Sequence, residues 1–509
     1  MQATTLNNQS PVNRKIHEAT TEEINKAVQK AYNAFLVFRN FSGNAKANFL
    51  EEIAAGIEAK RALLLETAMQ ETHLAEGRLN GEINRTINQI KLFVKLLKEG
   101  SWVKAIIDTA QPQRTPLPKP DLRQIQKPIG VIAVFGASNF PFAFSTAGGD
   151  TISALAAGCT VVYKAHPGHP SLSEMVAQII IDAAQKTNMP NGIFSMMQAT
   201  SVEPATYLVQ HPLIKAVAFT GSFKAGRSIY DVAAKREEPI PVYAEMGSTN
   251  PVFILPEILQ QRGEEIAKSL AASNLLSAGQ FCTNPGVIIA NKNADAENFQ
   301  TIFASSIASA TGEIMLTDSI YNSYQQNLKK VSEINEVTFN KKGSLSENKN
   351  AAEPNMFTAS AEIFMTDNDL HEEVFGPFSL HVQAKDKDEL MKIAASLKGQ
   401  LTITIWGTEN DISDYSELIN YLELKAGRII INGVPTGVEV TDAMMHGGPY
   451  PATTDSKFTS VGTTAIYRFT RPVCYQNFAD SFLPAELQDK NSLNIVRMIN
   501  GEYTKNKID

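Results

Sequence analysis

Cysteine is scarce: the 509 residues hold three, Cys159, Cys282 and Cys474. So few thiols cannot staple a chain of this length, so a disulfide framework is excluded and one reactive thiol becomes a candidate. Positive charge is not in excess. Lysine and arginine number 46 against 53 aspartates and glutamates, a net charge of −7. That field repels a phosphate backbone, so no nucleic-acid partner is expected. No cysteine–histidine cluster has zinc spacing, so no metal is expected. His166 and His169 stand close, but Pro167 and Pro170 break the segment and the pair reads as turn residues. The longest greasy stretch, VIAVFGASNFPFAF, is interrupted by Ser138, Asn139 and Pro141. It is too short and too polar to cross a bilayer, so no membrane partner is expected. The opening MQATTLNNQSPVNRKIHEAT lacks the apolar centre of a signal peptide. The expectation is a soluble, cytoplasmic protein.

What is present is a clear alternation of strand and helix. Residues 21–99 have helical periodicity. Residues 109–128 contain five prolines, which exclude a helix and suit an extended arm. From 129 the pattern changes. GVIAVF is an unbroken apolar run, as in a strand buried on both faces. It is followed by a helical stretch, FSTAGGDTISALAAG, then by the strands CTVVYK, GIFSMMQ, AVAFTG and PVYAEMG with helices between them. This series predicts an α/β fold with a doubly wound, parallel, Rossmann-like sheet. A second α/β region begins near NPVFIL and includes GVIIA, LTITIWG and GRIIIN. The polar insert at 340–355 reads as a surface loop, and the tail TSVGTTAIYRFTRPVCYQNF as an extended segment. The expected division is 1–108 with 129–250 as a dinucleotide-binding domain and 251–450 as a catalytic domain. Residues 109–128 and 451–509 form a small β oligomerisation arm with its tail.

Ligands of open α/β sheets bind at the carboxyl ends of the strands. Asn139, Lys164, the Gly221–Ser222 turn and Glu245 all follow strands of the first series. Each alone is an ordinary turn or strand-end residue; their convergence on one edge is the signal. A Gly-Ser turn opening a helix offers free amides to phosphate. Cys282, in SAGQFCTNPGV, lies among small residues after a helix, where a carbonyl carbon could approach its sulfur. Cys159 and Cys474 fit ordinary structural thiols.

With these residues in view the sequence resembles the aldehyde dehydrogenase superfamily over nearly its whole length. The resemblance rests on FGASNFPFAF, VVYKAHP, FTGSFKAG, YAEMGSTNPVF, GQFCTNPG and HEEVFGPF, in the family's order. Within it the chain is most similar to the α-ketoglutaric semialdehyde (2,5-dioxopentanoate) dehydrogenases, through KAHPGHP, HGGPYPATTDSKFTSVGT and FLPAELQDKNSLNIVRMING. The neighbouring group oxidises long-chain fatty aldehydes with NADP. The resemblance implies oxidation of an aldehyde to an acid through a cysteine thiohemiacetal and thioester. Cys282 would be the nucleophile, Asn139 with the Cys282 N–H the oxyanion hole, and Glu245 the general base. Glu245 would stand far enough from the thiolate not to repel it permanently. Lys164, Gly221 and Ser222, Glu373 and Phe375 would hold the adenosine ribose, the pyrophosphate and the nicotinamide end. A homodimer or homotetramer is implied as well.

Three departures bear on function. Met246 and Ser248 flank a single glycine where the family pattern has two, which could alter the approach to the nicotinamide. Pro167, with His166 beside it, stands where NAD-preferring members carry a glutamate. A 2′-phosphate is then tolerated and favoured by Lys164 and His166, so NADP is expected, with NAD as the alternative. No basic residue follows Cys282 within CTNPGV. His446, before two glycines, is either an aid to proton transfer at the edge of the site or a turn residue. Arg14, Arg123 and Arg227 are candidates for a substrate carboxylate. Two other readings are a CoA-acylating enzyme, which Glu245 opposes, and a silent binding protein on the same scaffold, which the retained Cys282, Asn139, Glu245 and Glu373 oppose.

Overall fold

The run GVIAVF forms strand Val131–Phe135, every residue of it buried. It is the centre of a five-stranded parallel sheet in the computed structural model, which describes residues 16–508. Arg14 lies outside the described residues. The spatial order is Phe194–Met197, Thr160–Lys164, Val131–Phe135, Ile214–Thr220, Val242–Glu245. The order reverses between the third and fourth of these, the crevice at which doubly wound sheets hold ligands. Register sets Phe135 opposite Lys164 and Phe219, and Thr220 opposite Glu245. The carboxyl ends of all these strands therefore form one edge.

Four helices precede this sheet: Thr21–Phe38, Gly43–Ala59, Arg61–Thr72 and Glu76–Glu99. The first is closed by a capping box between Thr20 and Glu23. The helix expected from Phe144 begins only at Gly149. The N–H groups of Phe142 and Ala143 are taken by the buried Glu82 carboxylate at 2.8 and 2.9 Å. The chain turns instead, with Gly149 donating to the Ala143 carbonyl at 3.1 Å.

The second sheet has seven strands, ordered Thr338–Lys342, Asn355–Ser360, Phe378–Ala384, Val287–Asn291, Val252–Ile254, Gln400–Trp406, Ala426–Ile431. It is parallel except for its first strand. That exception corrects the reading of 340–355 as a loop at its start, while 343–350 carry no helix or strand. Thr338–Lys342 is an edge strand paired antiparallel to Asn355–Ser360, and its polar composition reflects full exposure along its length.

A third sheet collects the arm and the tail. Thr470–Gln476 pairs antiparallel with Leu122–Pro128, which pairs with Ile106–Asp108, followed by Arg497–Ile499 and Glu502–Thr504. The tail is not extended throughout: Thr463–Phe469 is a short helix of tight turns, with Ile466 and Phe469 in the core. Among the described residues no helix is long and apolar enough to cross a membrane.

Candidate active site

The loop carrying Cys282 begins with a strained reversal. After helix Pro256–Leu275 the chain enters the left-handed region at Ser277, Ala278 and Gly279, with φ of 52°, 56° and 64°. Two non-glycine residues there cost about 1–3 kcal/mol each and persist only when neighbours hold them. Glu313 accepts the Ala278 N–H at 3.0 Å, and the Gln280 carbonyl group of the side chain accepts the Leu316 N–H at 3.0 Å. A Cβ on Gly279 would strike the Gly376 carbonyl, so the third residue must be glycine.

Asn250 clamps the other end. It is fully buried, and its amide nitrogen donates to the carbonyls of Cys282 (2.8 Å) and Asn284 (2.9 Å). Its oxygen accepts from Thr402 at 3.0 Å. The nucleophile loop is thereby tied to strand Gln400–Trp406 of the larger sheet.

Glu245 ends its strand facing this loop. Its Oε1 lies 2.8 Å from His446 Nε2, and Ser460 Oγ donates to its Oε2 at 2.5 Å. Cys282 Sγ lies 3.5 Å from the same His446 nitrogen. The sulfur, the nitrogen and a carboxylate oxygen all lie within 4.8 Å of one another. Nε2 lies within reach of both sulfur and carboxylate, but only the sulfur contact has hydrogen-bond geometry; Glu245 Oε1 is buried with no hydrogen-bond partner, so a proton on Nε2 is aimed at the sulfur and has to turn to reach the carboxylate. His446 is not at an edge: it is 1% exposed, held by Thr459 and Ser460 and covered by the Phe144 ring.

The charges set the protonation states. Burial pushes the Cys282 thiol well above its ordinary range, and the Glu245 carboxylate pushes it further. This corrects the expectation that Glu245 stands too far away to repel a thiolate. Burial alone would raise Glu245 too, but the nearby His446 ring, the Ser460 hydroxyl that donates to it and the thiol beside it hold it below the usual carboxylate range. The resting pair is thus a thiol beside an ionised carboxylate, with His446 Nε2 within reach of both.

Asn139 is buried at the carboxyl edge of the first sheet. Its side-chain nitrogen donates to the Gln280 carbonyl at 3.2 Å, two residues before Cys282, and Arg78 donates to its carbonyl at 2.5 Å. Four more of the expected residues lie on two further parts of the site. Gly221 and Ser222 are exposed at the start of helix Phe223–Ala234, and Gly221 N–H donates to the Glu245 carbonyl at 3.1 Å. Beside them, the Thr220 hydroxyl is buried without a partner. Glu373 and Phe375 line a pocket with Ser248, and a Cβ on Gly247 would sit 2.5 Å from Glu373 Oε2. Burial raises the Glu373 carboxyl to about 8. Ser248 instead donates to Gln400 at 2.7 Å, and Met246 packs under Gly226. The Met246 side chain is thus absorbed away from the groove, whereas Ser248 lines the pocket and turns its hydroxyl to Gln400, and the retained Gly247 is the residue packed against Glu373.

Lys164 ends its strand half-buried. His166 beside it accepts the Gly168 N–H at 3.0 Å. Burial, with His169 and Lys164 nearby, lowers the His166 pKa to about 3, so the ring is neutral and adds no charge to Lys164. His169 is structural, bonded to the Ala137 carbonyl at 3.0 Å and to Ser173 at 3.1 Å. An unpartnered hydroxyl, a glycine cradle and a strand-end lysine at one crevice fit a nicotinamide dinucleotide.

Two of the arginine candidates are engaged elsewhere. Arg123 pairs with Asp121 at 2.9 Å and Asp489 at 2.8 Å in the arm sheet, and Arg227 pairs with Asp231 at 2.7 Å on the surface. The sequence reading missed Asn250, Ser460, and the Arg78, Glu82 and Arg85 stripe on helix Glu76–Glu99. Spacing alone makes that stripe look like a solvated helix face.

The aldehyde dehydrogenase family pattern matches residues 4–452. This chain belongs to the aldehyde dehydrogenase family and is an oxidoreductase. It is 46% identical over 499 residues to a protein of Acinetobacter baylyi named alpha-ketoglutaric semialdehyde dehydrogenase, covering 97% of this chain and 94% of that one. It is 44% identical to alpha-ketoglutaric semialdehyde dehydrogenase 2 of Azospirillum brasilense, covering 95% and 92%. The fold is shared with proline utilization A of Bdellovibrio bacteriovorus, at a TM-score of 0.77 and 22% identity; 92% of this chain spans 47% of that one. It is also shared with a 1-pyrroline-5-carboxylate dehydrogenase from Thermus with bound NAD, at a TM-score of 0.75 and 19% identity, covering 90% and 86%.

Since the Glu245 charge raises the thiol pKa, Glu245→Gln should lower it. The pH midpoint for alkylation of Cys282 by iodoacetamide in the free enzyme is expected to move to lower pH. A midpoint that stays or rises would contradict the placement of these charges.

Proposed function

We propose that this protein oxidises 2,5-dioxopentanoate to 2-oxoglutarate with a nicotinamide dinucleotide, and that Cys282, His446, Glu245 and Asn139 carry the chemistry. The observation that carries the reading is the contact of one His446 nitrogen with both sulfur and carboxylate, at 3.5 and 2.8 Å. The substrate is inferred from the two relatives that bear its dehydrogenase's name at 46% and 44% identity.

Glu245 takes the thiol proton, with His446 Nε2 within reach of donor and acceptor, as Cys282 attacks the aldehyde carbon. The Asn139 side-chain N–H and the Cys282 backbone N–H receive the developing oxyanion. Held by the residues named below, a bound dinucleotide would supply the hydride acceptor, and loss of hydride from the thiohemiacetal carbon would leave a thioester on the Cys282 sulfur. Glu245 must then be ionised again to take a proton from water. Ser460 and a cavity behind the carboxylate, lined by Tyr243, Asp455 and Arg468, offer that proton a way out. Water adds at the thioester carbon, the C–S bond breaks, and Cys282 regains a proton.

Lys164, His166, Gly221, Ser222, Glu373 and Phe375 bind the dinucleotide in this reading. NADP is preferred over NAD because Pro167 offers no carboxylate against a 2′-phosphate and Lys164 supplies a cation. His166 contributes shape rather than charge. The kcat/KM values for 2,5-dioxopentanoate, succinic semialdehyde and a long-chain aldehyde, each with NAD and NADP, test the assignment. Highest efficiency is expected for 2,5-dioxopentanoate with NADP. A long-chain aldehyde in first place would refute the substrate, and NAD in first place the cofactor preference.

The arm sheet supports a homodimer or homotetramer. Its outer strands Thr470–Gln476 and Glu502–Thr504 leave open edges, and Phe482 and Tyr503 nearby are each 79% exposed. Sedimentation equilibrium should give a mass at least twice that of the chain; a stable monomer would contradict this.

A further inference from the structure

Helix Glu76–Glu99 is buried along a face that carries Arg78, Glu82, Arg85 and Gln89. Two guanidinium groups and one carboxylate share this stripe. Glu82 Oε1 accepts the N–H groups of Phe142 and Ala143, while its Oε2 is buried without a hydrogen-bond partner and feels the charge of both arginines. Arg78 is sandwiched between the Phe140 and Phe281 rings, at 5.1 and 4.9 Å, and donates through Nη2 to the Asn139 carbonyl; its Nε and Nη1 are also buried without a partner, but its charge, unlike that of Arg85, does not act on Cys282 or Glu245. Its place is thus to fix the loop of the oxyanion amide.

Arg85 is differently placed. Its Nε donates to the Val438 carbonyl at 3.2 Å, while its Nη2 is buried with no partner. Its guanidinium lies over the Phe144 ring at 5.1 Å, and the other side of that residue's surroundings is His446, 5.8 Å away centre to centre. Phe140, Val438 and Met444, all partly buried, pack with Phe144 and Val461 around it. Two other carboxylates stand near the stripe, Glu313 and Glu439, but Glu313 is bonded to the Ala278 N–H and Glu439 to the Val440 N–H. The Arg85 charge acts first on Glu82, and then on Cys282, Glu245 and Glu439. A buried donor left unpaired beside a reacting sulfur is costly unless a ligand completes it.

We propose that Arg85 is the anchor for the substrate's own carboxylate, so that an aldehyde bearing a carboxylate at its far end lies along Phe144 with its carbonyl at Cys282. This rests on the aldehyde-oxidising reading above and deepens it by assigning the substrate class to a residue. The apolar wall of Phe140, Phe144 and Val438 covers the short carbon chain, and the guanidinium takes the anionic end. A long uncharged chain would leave that guanidinium desolvated and unpaired, which disfavours it.

The test compares wild type, Arg85→Met and Arg85→Lys with 2,5-dioxopentanoate, succinic semialdehyde and pentanal, a neutral aldehyde of five carbons. The ratio of kcat/KM for 2,5-dioxopentanoate over pentanal should fall about 100-fold in Arg85→Met, mostly through KM, and about 10-fold in Arg85→Lys. Inhibition of pentanal oxidation by glutarate, which carries the carboxylates without the aldehyde, should weaken by a similar factor. An unchanged ratio, or an equal loss on all three aldehydes, overturns the anchor. If Arg85→Met does not fold, the lysine variant decides by the same ratio and the same glutarate inhibition. If wild type favours succinic semialdehyde and Arg85→Met erases that preference, the anchor stands and the 2,5-dioxopentanoate assignment falls. If wild type favours 2,5-dioxopentanoate and the variants keep the preference, the anchor alone falls.

Discussion

A thiol and a carboxylate share one buried site, and each opposes ionisation of the other. Burial with the Glu245 charge keeps Cys282 protonated, while the donors around Glu245 keep that carboxylate ionised. Only a group that can serve both makes the pairing workable. His446 is placed to be that group, with Nε2 3.5 Å from sulfur and 2.8 Å from oxygen. Protonated at Nε2, it turns its donor toward whichever atom is negative, so the thiol proton passes to the carboxylate without leaving either anion bare in a medium of low dielectric.

The scaffold exists to hold those three atoms from three distant parts of the chain. Glu245 comes from the last strand of the first sheet. Cys282 comes from a reversal kept in place by Asn250 and by the contact of Gly279 with Gly376. His446 comes from a loop fixed by Thr459 and Ser460. Behind them, Arg468 pairs with Asp150 at 2.7 Å, a buried ion pair whose carboxylate neighbours Glu245. Loss of one partner of such a pair strands a charge and costs about 3–5 kcal/mol, so the region behind the site is rigid for an electrostatic reason.

Much of this was legible in the sequence, and the reason is local. Strands buried on both faces read as apolar runs, so the doubly wound sheet and its edge residues Lys164, Gly221 and Glu245 followed from pattern alone. The edge strand Thr338–Lys342 did not, because an exposed strand has no apolar run and its lysines read as loop. His446 was seen as a candidate at the periphery, since no local pattern links it to a sulfur 164 positions earlier. The arginine stripe was hidden for a similar cause. Its spacing is that of an ordinary helix face, and only packing against the Phe140–Ala143 turn turns that face inward.

The most direct test of the shared-proton account is the mass of the enzyme after one turnover. Glu245→Gln keeps the sulfur and the His446 nitrogen but removes the group that takes the thiol proton and later activates water. Mixed with 2,5-dioxopentanoate and NADP and quenched in acid, this variant should form the acyl adduct on Cys282 slowly, at a rate that rises with pH as solvent takes the thiol proton, and should then retain it, in near-equal amount to the reduced dinucleotide formed. Wild-type steady turnover with no adduct in the variant would contradict the account and remove Glu245 from the hydrolytic step.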